Sequence, residues 1–143
     1  MIRKTVLLAC APARAFALFT EEASHWWPSG RRHSGDPASD IRMLPGGRFW
    51  ERGADGTEVE LGRVRTWDPP HRLTLDFYVG TDAAHPTLVE ITFAPEGDGA
   101  TRVTLEHRPT PASEAPWRER ASAFERSWDL LLESLARAAF EHR

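Results

Sequence analysis

Two periodicities divide this chain. From residue 117 to residue 140, Trp117, Ala121, Phe124, Trp128, Leu131, Leu132, Leu135 and Ala139 recur at spacings of three and four. Arg118, Arg120, Glu125, Asp129, Glu133 and Arg137 fill positions between them. The pattern predicts one long amphipathic helix of roughly 35 Å, whose apolar stripe needs an equally long apolar surface to cover. Upstream the period drops to two. Leu73, Leu75 and Phe77 alternate with Thr74, Asp76 and Tyr78; Val89, Ile91 and Phe93 with Glu90 and Thr92; Val103, Leu105 and His107 with Arg102, Thr104 and Glu106. Each run predicts a strand with one apolar and one wet face, as in an antiparallel sheet solvated on one side.

The remaining segments are shorter. Ile2, Lys4, Val6 and Leu8 alternate with Arg3, Thr5 and Leu7 and predict a first strand, stopped by Pro12. Residues 13–19, with Phe16 and Phe19 three apart, predict a short helix with proline in its first turn. Thr20 then reads as the cap of a second helical turn that ends at Trp26 and Trp27 before Pro28. Residues 28–40 have no apolar period and predict a long loop, a candidate lid. A hairpin is expected from 41–44 and 48–52 across Pro45-Gly46-Gly47. In the strand expected over 57–67 the apolar parity changes between Leu61 and Val64, which places a bulge at Gly62. Asp68-Pro69-Pro70 breaks the pattern, and 109–116, with three prolines, reads as a stiff linker to the last helix.

Together these elements predict an α+β helix-grip fold: a strand, two short helices, six strands in a meander and a long C-terminal helix held by a curved, seven-stranded antiparallel sheet. A single domain is expected over residues 1–143. One helix does not fill such a groove, so an apolar cavity between sheet and helix is expected, the usual form of a small-molecule site.

Composition narrows the function. With 143 residues, 41% hydrophobic, the chain suits one globular core of ordinary size. A net charge of -3 with arginines scattered singly or in pairs gives no basic field for phosphate backbones, so nucleic acid is excluded as a partner. Cys10 is the only cysteine, which rules out an internal disulfide and a thiolate metal cage. His25, His33, His71 and His85 show no metal-ligand spacing, and no P-loop, GxGxxG or GxSxG occurs, so no metal or other cofactor is expected. The apolar run 6–11 is too short for a signal-peptide core, and no stretch approaches the roughly 20 residues that span a bilayer. The expectation is a cytoplasmic protein without membrane insertion. Lys4 is the only lysine, and abundant alanine and proline fit a GC-rich bacterial genome.

Two polar residues stand out as candidates for chemistry. His107 shares a strand face with Val103 and Leu105, where an imidazole could orient a ligand or transfer a proton; its structural alternative is a hydrogen bond to a backbone carbonyl or to the start of the last helix. Glu51, two residues from Phe49, could point inward with a raised pKa if unpaired, or form a salt bridge to an arginine. Glu58, Glu60, Glu90 and Glu106 fall on the wet face. Trp27, Phe49, Glu51, Phe77, Phe93, His107, Phe124 and Trp128 form the expected ligand-binding set, with His107 and Glu51 the first suspects should a reaction occur.

Several stretches, taken in order, resemble a known superfamily. They are Phe19-Thr20 followed by Trp26-Trp27-Pro28, Pro45-Gly46-Gly47-Arg48 with Glu51 and Asp55-Gly56, and Gly62-Arg63-Val64 leading to Trp67-Asp68-Pro69-Pro70 and Arg72-Leu73. Glu90-Ile91-Thr92-Phe93, the run 99–107 and the helical stretch 128–135 follow. The chain resembles the START-like or Bet v 1-like helix-grip proteins, in the branch similar to the C-terminal domain of the activator of Hsp90 ATPase. The resemblance covers essentially the whole chain. It implies a binder of a small apolar molecule, with a polyketide cyclase or dehydratase-like enzyme and a chaperone-activator-like interaction module as alternatives; a homodimer is compatible with each. The chain departs from the family at Ser127, where glycine often precedes the helix tryptophan, and in the loop 29–40.

Overall fold

The structure, a computed structural model, describes residues 1–142. Its elements are β1 (Ile2–Leu8), α1 (Pro12–Thr20), α2 (Ala23–Trp26), β2 (Asp40–Met43), β3 (Arg48–Arg52), β4 (Glu58–Asp68), β5 (Arg72–Phe77), β6 (Thr87–Pro95), β7 (Thr101–Pro109) and α3 (Glu114–Glu141). Short 3-10 turns lie at Ser29–Arg31 and Pro111–Ser113. The strands form one antiparallel sheet in the order β1-β7-β6-β5-β4-β3-β2, so β2 to β7 run as a meander and β1 closes beside β7. This is the α+β helix-grip arrangement.

The alternation seen in the sequence sets which sheet face is dry. Leu73, Leu75, Phe77, Val89, Ile91, Phe93, Val103 and Leu105 are all buried, and Phe124, Trp128, Leu131, Leu132 and Leu135 of α3 join them in one hydrophobic cluster. Lys4 of β1 reaches Asp129 at 3.0 Å, the Ser134 hydroxyl donates to the Trp26 carbonyl, and Arg14 Nε donates to the His142 carbonyl at 3.2 Å. α3 is thereby tied to the sheet edge and to both short helices.

The parity change in β4 is a bulge with Leu61 as its extra residue, because Phe49 pairs with Gly62 while Trp50 pairs with Glu60. Gly62 is required there. A Cβ at this position would stand 2.1 Å from the Asp76 carbonyl oxygen. A second irregularity, between Val64 and Thr66, adds to the bend.

Two expectations need correction. Thr20 is not a helix cap: it closes α1, its hydroxyl donating to the Phe16 carbonyl at 2.7 Å, and α2 starts without a side-chain cap. Residues 109–116 are not a linker, since β7 runs to Pro109 and α3 already begins at Glu114. Between them Thr110 and Ser113 form a reciprocal capping box, and Pro116 sits in the first turn of α3, where its missing N–H has no helical acceptor to lose.

The segment 28–40 is a loop, as expected, and is anchored by side-chain hydrogen bonds. The Arg32 guanidinium donates to the carbonyls of Ser24 at 2.8 Å, Trp27 at 2.9 Å and Ser39. Between sheet and helix, aromatic rings take up much of the space that the sequence leaves open for a cavity. A row of rings runs from Phe16 through Phe93, Phe19, Trp26, Trp27, Phe49 and Phe77 to Trp128, each centroid within 6.4 Å of the next. Aromatic side chains are bulky enough to occupy the volume that one helix leaves under a bent sheet.

Candidate functional site

Along the middle turns of α3, from Arg120 to Leu131, the aromatic filling stops short of the surface and leaves a cleft of about 180 Å³. Two rows of the helix form one wall, Arg120, Phe124 and Trp128 at spacings of four, and Ala123, Ser127 and Leu131 at the same spacing. Trp27, Phe77, Val79 and Gly80 close the other side, and Arg31 and His33 stand at its mouth. Small-molecule sites commonly enclose about 300–1,000 Å³, whereas a cavity of about 150 Å³ can take benzene. The cleft therefore fits one or two fused rings. At His33, Val79 and Gly80 it continues into a shallower depression of about 330 Å³. A larger groove of about 540 Å³ lies along the outer side of α3, but no aromatic residue lines it.

Gly80 shapes the cleft. Its φ is +80°, and a Cβ there would approach Phe124 Cε1 to 2.6 Å. Only glycine lets the chain turn this closely over the Phe124 ring.

Behind the cleft lies His107, fully buried among Phe77, Trp117, Phe124 and Trp128 with ring centroids 4.5–6.0 Å away. The Trp128 indole N–H donates to Nδ1 at 3.0 Å, so Nδ1 carries no proton. Nε2 then bears it and donates to the Thr87 hydroxyl at 2.8 Å, which in turn donates to the Phe77 carbonyl at 3.2 Å. Every polar atom of this chain is satisfied. Burial pushes the imidazole pKa down to about 3, with a smaller push from the chain's amino terminus. The neutral ring is a structural strut. Its partners are two side chains, not the backbone carbonyl or helix start expected from sequence.

Glu51 is likewise fully buried, but its carboxylate lies under the loop 28–40. It accepts the backbone N–H of His33 at 2.8 and 3.0 Å and that of Ser34 at 2.6 Å. Burial raises its pKa, yet the hydrogen bonds from the Ser34 hydroxyl, these two N–H groups and the Ser39 hydroxyl outweigh burial and hold it below the usual value. Glu51 does point inward as the sequence allows, but it is hydrogen-bonded, so its pKa is not raised, and no arginine among the described residues comes within ion-pair distance. The carboxylate instead fixes the backbone that presents His33 at the cleft mouth.

The profile of the activator of Hsp90 ATPase homolog 1-like proteins matches residues 9–139. The chain belongs to this family. The solution structure of a self-sacrificing resistance protein, CalC from Micromonospora echinospora, is similar with a TM-score of 0.73 at 24% identity, covering 98% of this chain and 94% of that one. Protein NE0264 from Nitrosomonas europaea gives 0.72 at 14% identity over 99% and 95%. An anthrahydroquino-gamma-pyrone synthase, Txn09, complexed with SUM, gives 0.58 at 28% identity over 96% and 94%. The first two likenesses speak to the fold alone. None of the curated proteins compared matches the chain.

In this activator of Hsp90 ATPase homolog 1-like protein the eight residues of the expected ligand set fall in two groups. Trp27, Phe77, Phe124 and Trp128 line the cleft. Phe49 lies one layer behind, between Trp27 and Phe77; Phe93 packs against Phe16 and Phe19; His107 backs the aromatic wall; and Glu51 sits under the loop. Arg31, His33, Arg120 and Ser127 line the cleft although the sequence reading did not select them. A signal for Arg120 and Ser127 was present, since each precedes a buried stripe residue by four positions. Ser127 is also where the chain departs from the family pattern. Among the described residues, no cluster of His, Cys, Asp or Glu could hold a metal ion, and no helix is long and apolar enough to cross a membrane.

Proposed function

We propose that this protein binds a small aromatic molecule in the cleft between the sheet and α3. The observation that carries the proposal is the cleft itself, about 180 Å³ with Trp27, Phe77, Phe124 and Trp128 in its walls. Flat rings stacked on or against such walls bury area efficiently and gain the offset and edge contacts that aromatic pairs favour. The similarity to a protein named as an anthrahydroquino-gamma-pyrone synthase supports an aromatic ligand. The two residues suspected of proton transfer, His107 and Glu51, are both held in structural hydrogen bonds away from the cleft, which favours binding over catalysis.

A thermal-shift screen of one- and two-ring aromatics tests the reading. A ligand at about ten times its Kd stabilises the fold by about 1.4 kcal/mol, a rise of a few degrees in Tm. The same ligand should move the indole N–H resonances of Trp27 and Trp128. No Tm rise and no movement of either resonance across the panel would defeat the proposal.

A further inference from the structure

The cleft mouth carries a charge pattern that an apolar ligand alone would not use. Arg31, His33 and Arg120 line it, and no aspartate or glutamate does, although the chain has 21 acidic residues against 18 lysines and arginines. Among the described residues, neither the Arg31 nor the Arg120 guanidinium makes an ion pair or hydrogen bond. Arg31 is half-buried and Arg120 is exposed, so both cations are open to a ligand. Glu133 shares the outer groove with Arg31, but its carboxylate is paired with Arg137 at 3.5 Å. Glu51, the nearest acid beneath the loop, is occupied by the N–H groups of His33 and Ser34.

Both arginines are mounted on fixed backbone. The Arg31 carbonyl accepts the Trp27 indole N–H at 3.2 Å, and its own N–H donates to the Pro28 carbonyl at 2.9 Å. Arg120 stands on α3 one turn before Phe124 and two before Trp128, in the same row that forms the aromatic wall. An aromatic ring lying against Phe124 and Trp128 would thus have cations at its outer edge. A planar guanidinium pairs with a carboxylate through two parallel N–H···O bonds, a match that neutral or cationic groups lack.

We infer that the ligand is an aromatic carboxylate, its ring between Trp27, Phe77, Phe124 and Trp128 and its carboxylate held by Arg31 and Arg120. This rests on the aromatic-ligand reading above and adds the charge. The polar end faces solvent, so the carboxylate keeps part of its hydration while the ring is buried. The same layout selects against aromatic amines, which would bring a cation to a cationic mouth.

The test compares 2-naphthoate with 2-naphthamide, the same ring system with and without the charge. Each is titrated at fixed ionic strength while the Trp27 and Trp128 indole resonances are followed. The protein is wild type, the double variant Arg31→Gln/Arg120→Gln, and Arg118→Gln as a control on the same helix outside the cleft. Wild type should bind the acid about tenfold or more tighter than the amide, charged hydrogen bonds being about twice as strong as neutral ones. The double variant should bring the two within about twofold of each other, the acid losing more affinity than the amide, and Arg118→Gln should behave as wild type. Equal binding of acid and amide by wild type overturns the charge assignment and leaves the aromatic reading standing. An acid preference that survives in the double variant overturns the role of these two arginines. Binding of neither compound overturns both readings together.

Discussion

The indole N–H of Trp128 on α3 donates to Nδ1 of His107 on β7 at 3.0 Å, inside the fully buried layer between helix and sheet. This bond fixes the imidazole tautomer and, through Thr87, couples the helix to three neighbouring strands, β5, β6 and β7. It leaves both ring nitrogens of His107 engaged, Nδ1 by Trp128 and Nε2 by Thr87.

Substitutions at Trp128 should separate packing from polarity. Trp128→Ala opens a hole at the central seam and should cost about 3–5 kcal/mol, and Leu131→Ala about 2–5 kcal/mol. Trp128→Phe keeps a ring but leaves buried Nδ1 without a donor, for a loss of about 1–3 kcal/mol. Denaturant titration gives these values directly. A loss below about 0.5 kcal/mol for both alanine variants contradicts the packing described.

The pH dependence of stability should report the same histidine. Its folded pKa of about 3 lies below the ordinary value of 6.5, so the unfolded chain binds the extra proton. Stability is then complete above about pH 6.5 and declines as pH falls toward 3, by up to about 1.4 kcal/mol per pH unit. His107→Gln can accept from Trp128 and donate to Thr87 without titrating, so its stability should change less between about pH 6.5 and 5. Parallel slopes for wild type and variant in that window would count against a buried neutral imidazole.

Glu51 anchors the loop, and its removal should be visible there. A glutamine carries an N–H group into a site built of donors, so Glu51→Gln should cost about 1–3 kcal/mol. Its carboxylate is held below the usual pKa, hence its contribution is present above the unfolded value of 4.5 and lost as pH falls through the lower folded one. Amide exchange at His33 and Ser34 should be slow in wild type and faster in the variant. Fast exchange at both in wild type would show that the loop is not anchored this way.

Gly80 should tolerate no side chain. Its left-handed backbone and the 2.6 Å approach of an added Cβ to Phe124 predict that Gly80→Ala costs about 1–3 kcal/mol. The displaced Phe124 ring would narrow the cleft and weaken any aromatic ligand. Wild-type stability and affinity in this variant would refute the close packing of loop and ring.

How much of this was legible in the residues alone depends on the range of the interaction. Strand alternation and the helical stripe are set by neighbours two to four positions apart, so the seven strands, the long helix and the bulge beside Gly62 could be read directly. The ring of residues able to wall a cleft was partly legible for the same reason, since Phe124 and Trp128 share a row with Arg120. Hydrogen-bond partners were not. His107 meets Trp128 across 21 positions, and Glu51 meets the N–H groups of His33 and Ser34 across 18 and 17. Those pairings arise only when the bent sheet closes on the helix and the loop folds back over β3. The pKa values followed the pairings, because a buried carboxylate ringed by N–H donors and a buried carboxylate alone shift in opposite directions. Cavity size was likewise undetermined by pattern: whether Trp26, Trp27, Phe49 and Phe77 fill the groove or line it depends on rotamers and ring packing in three dimensions. The aromatic and cationic residues were present in the sequence, and tertiary structure decided which of them share one cleft.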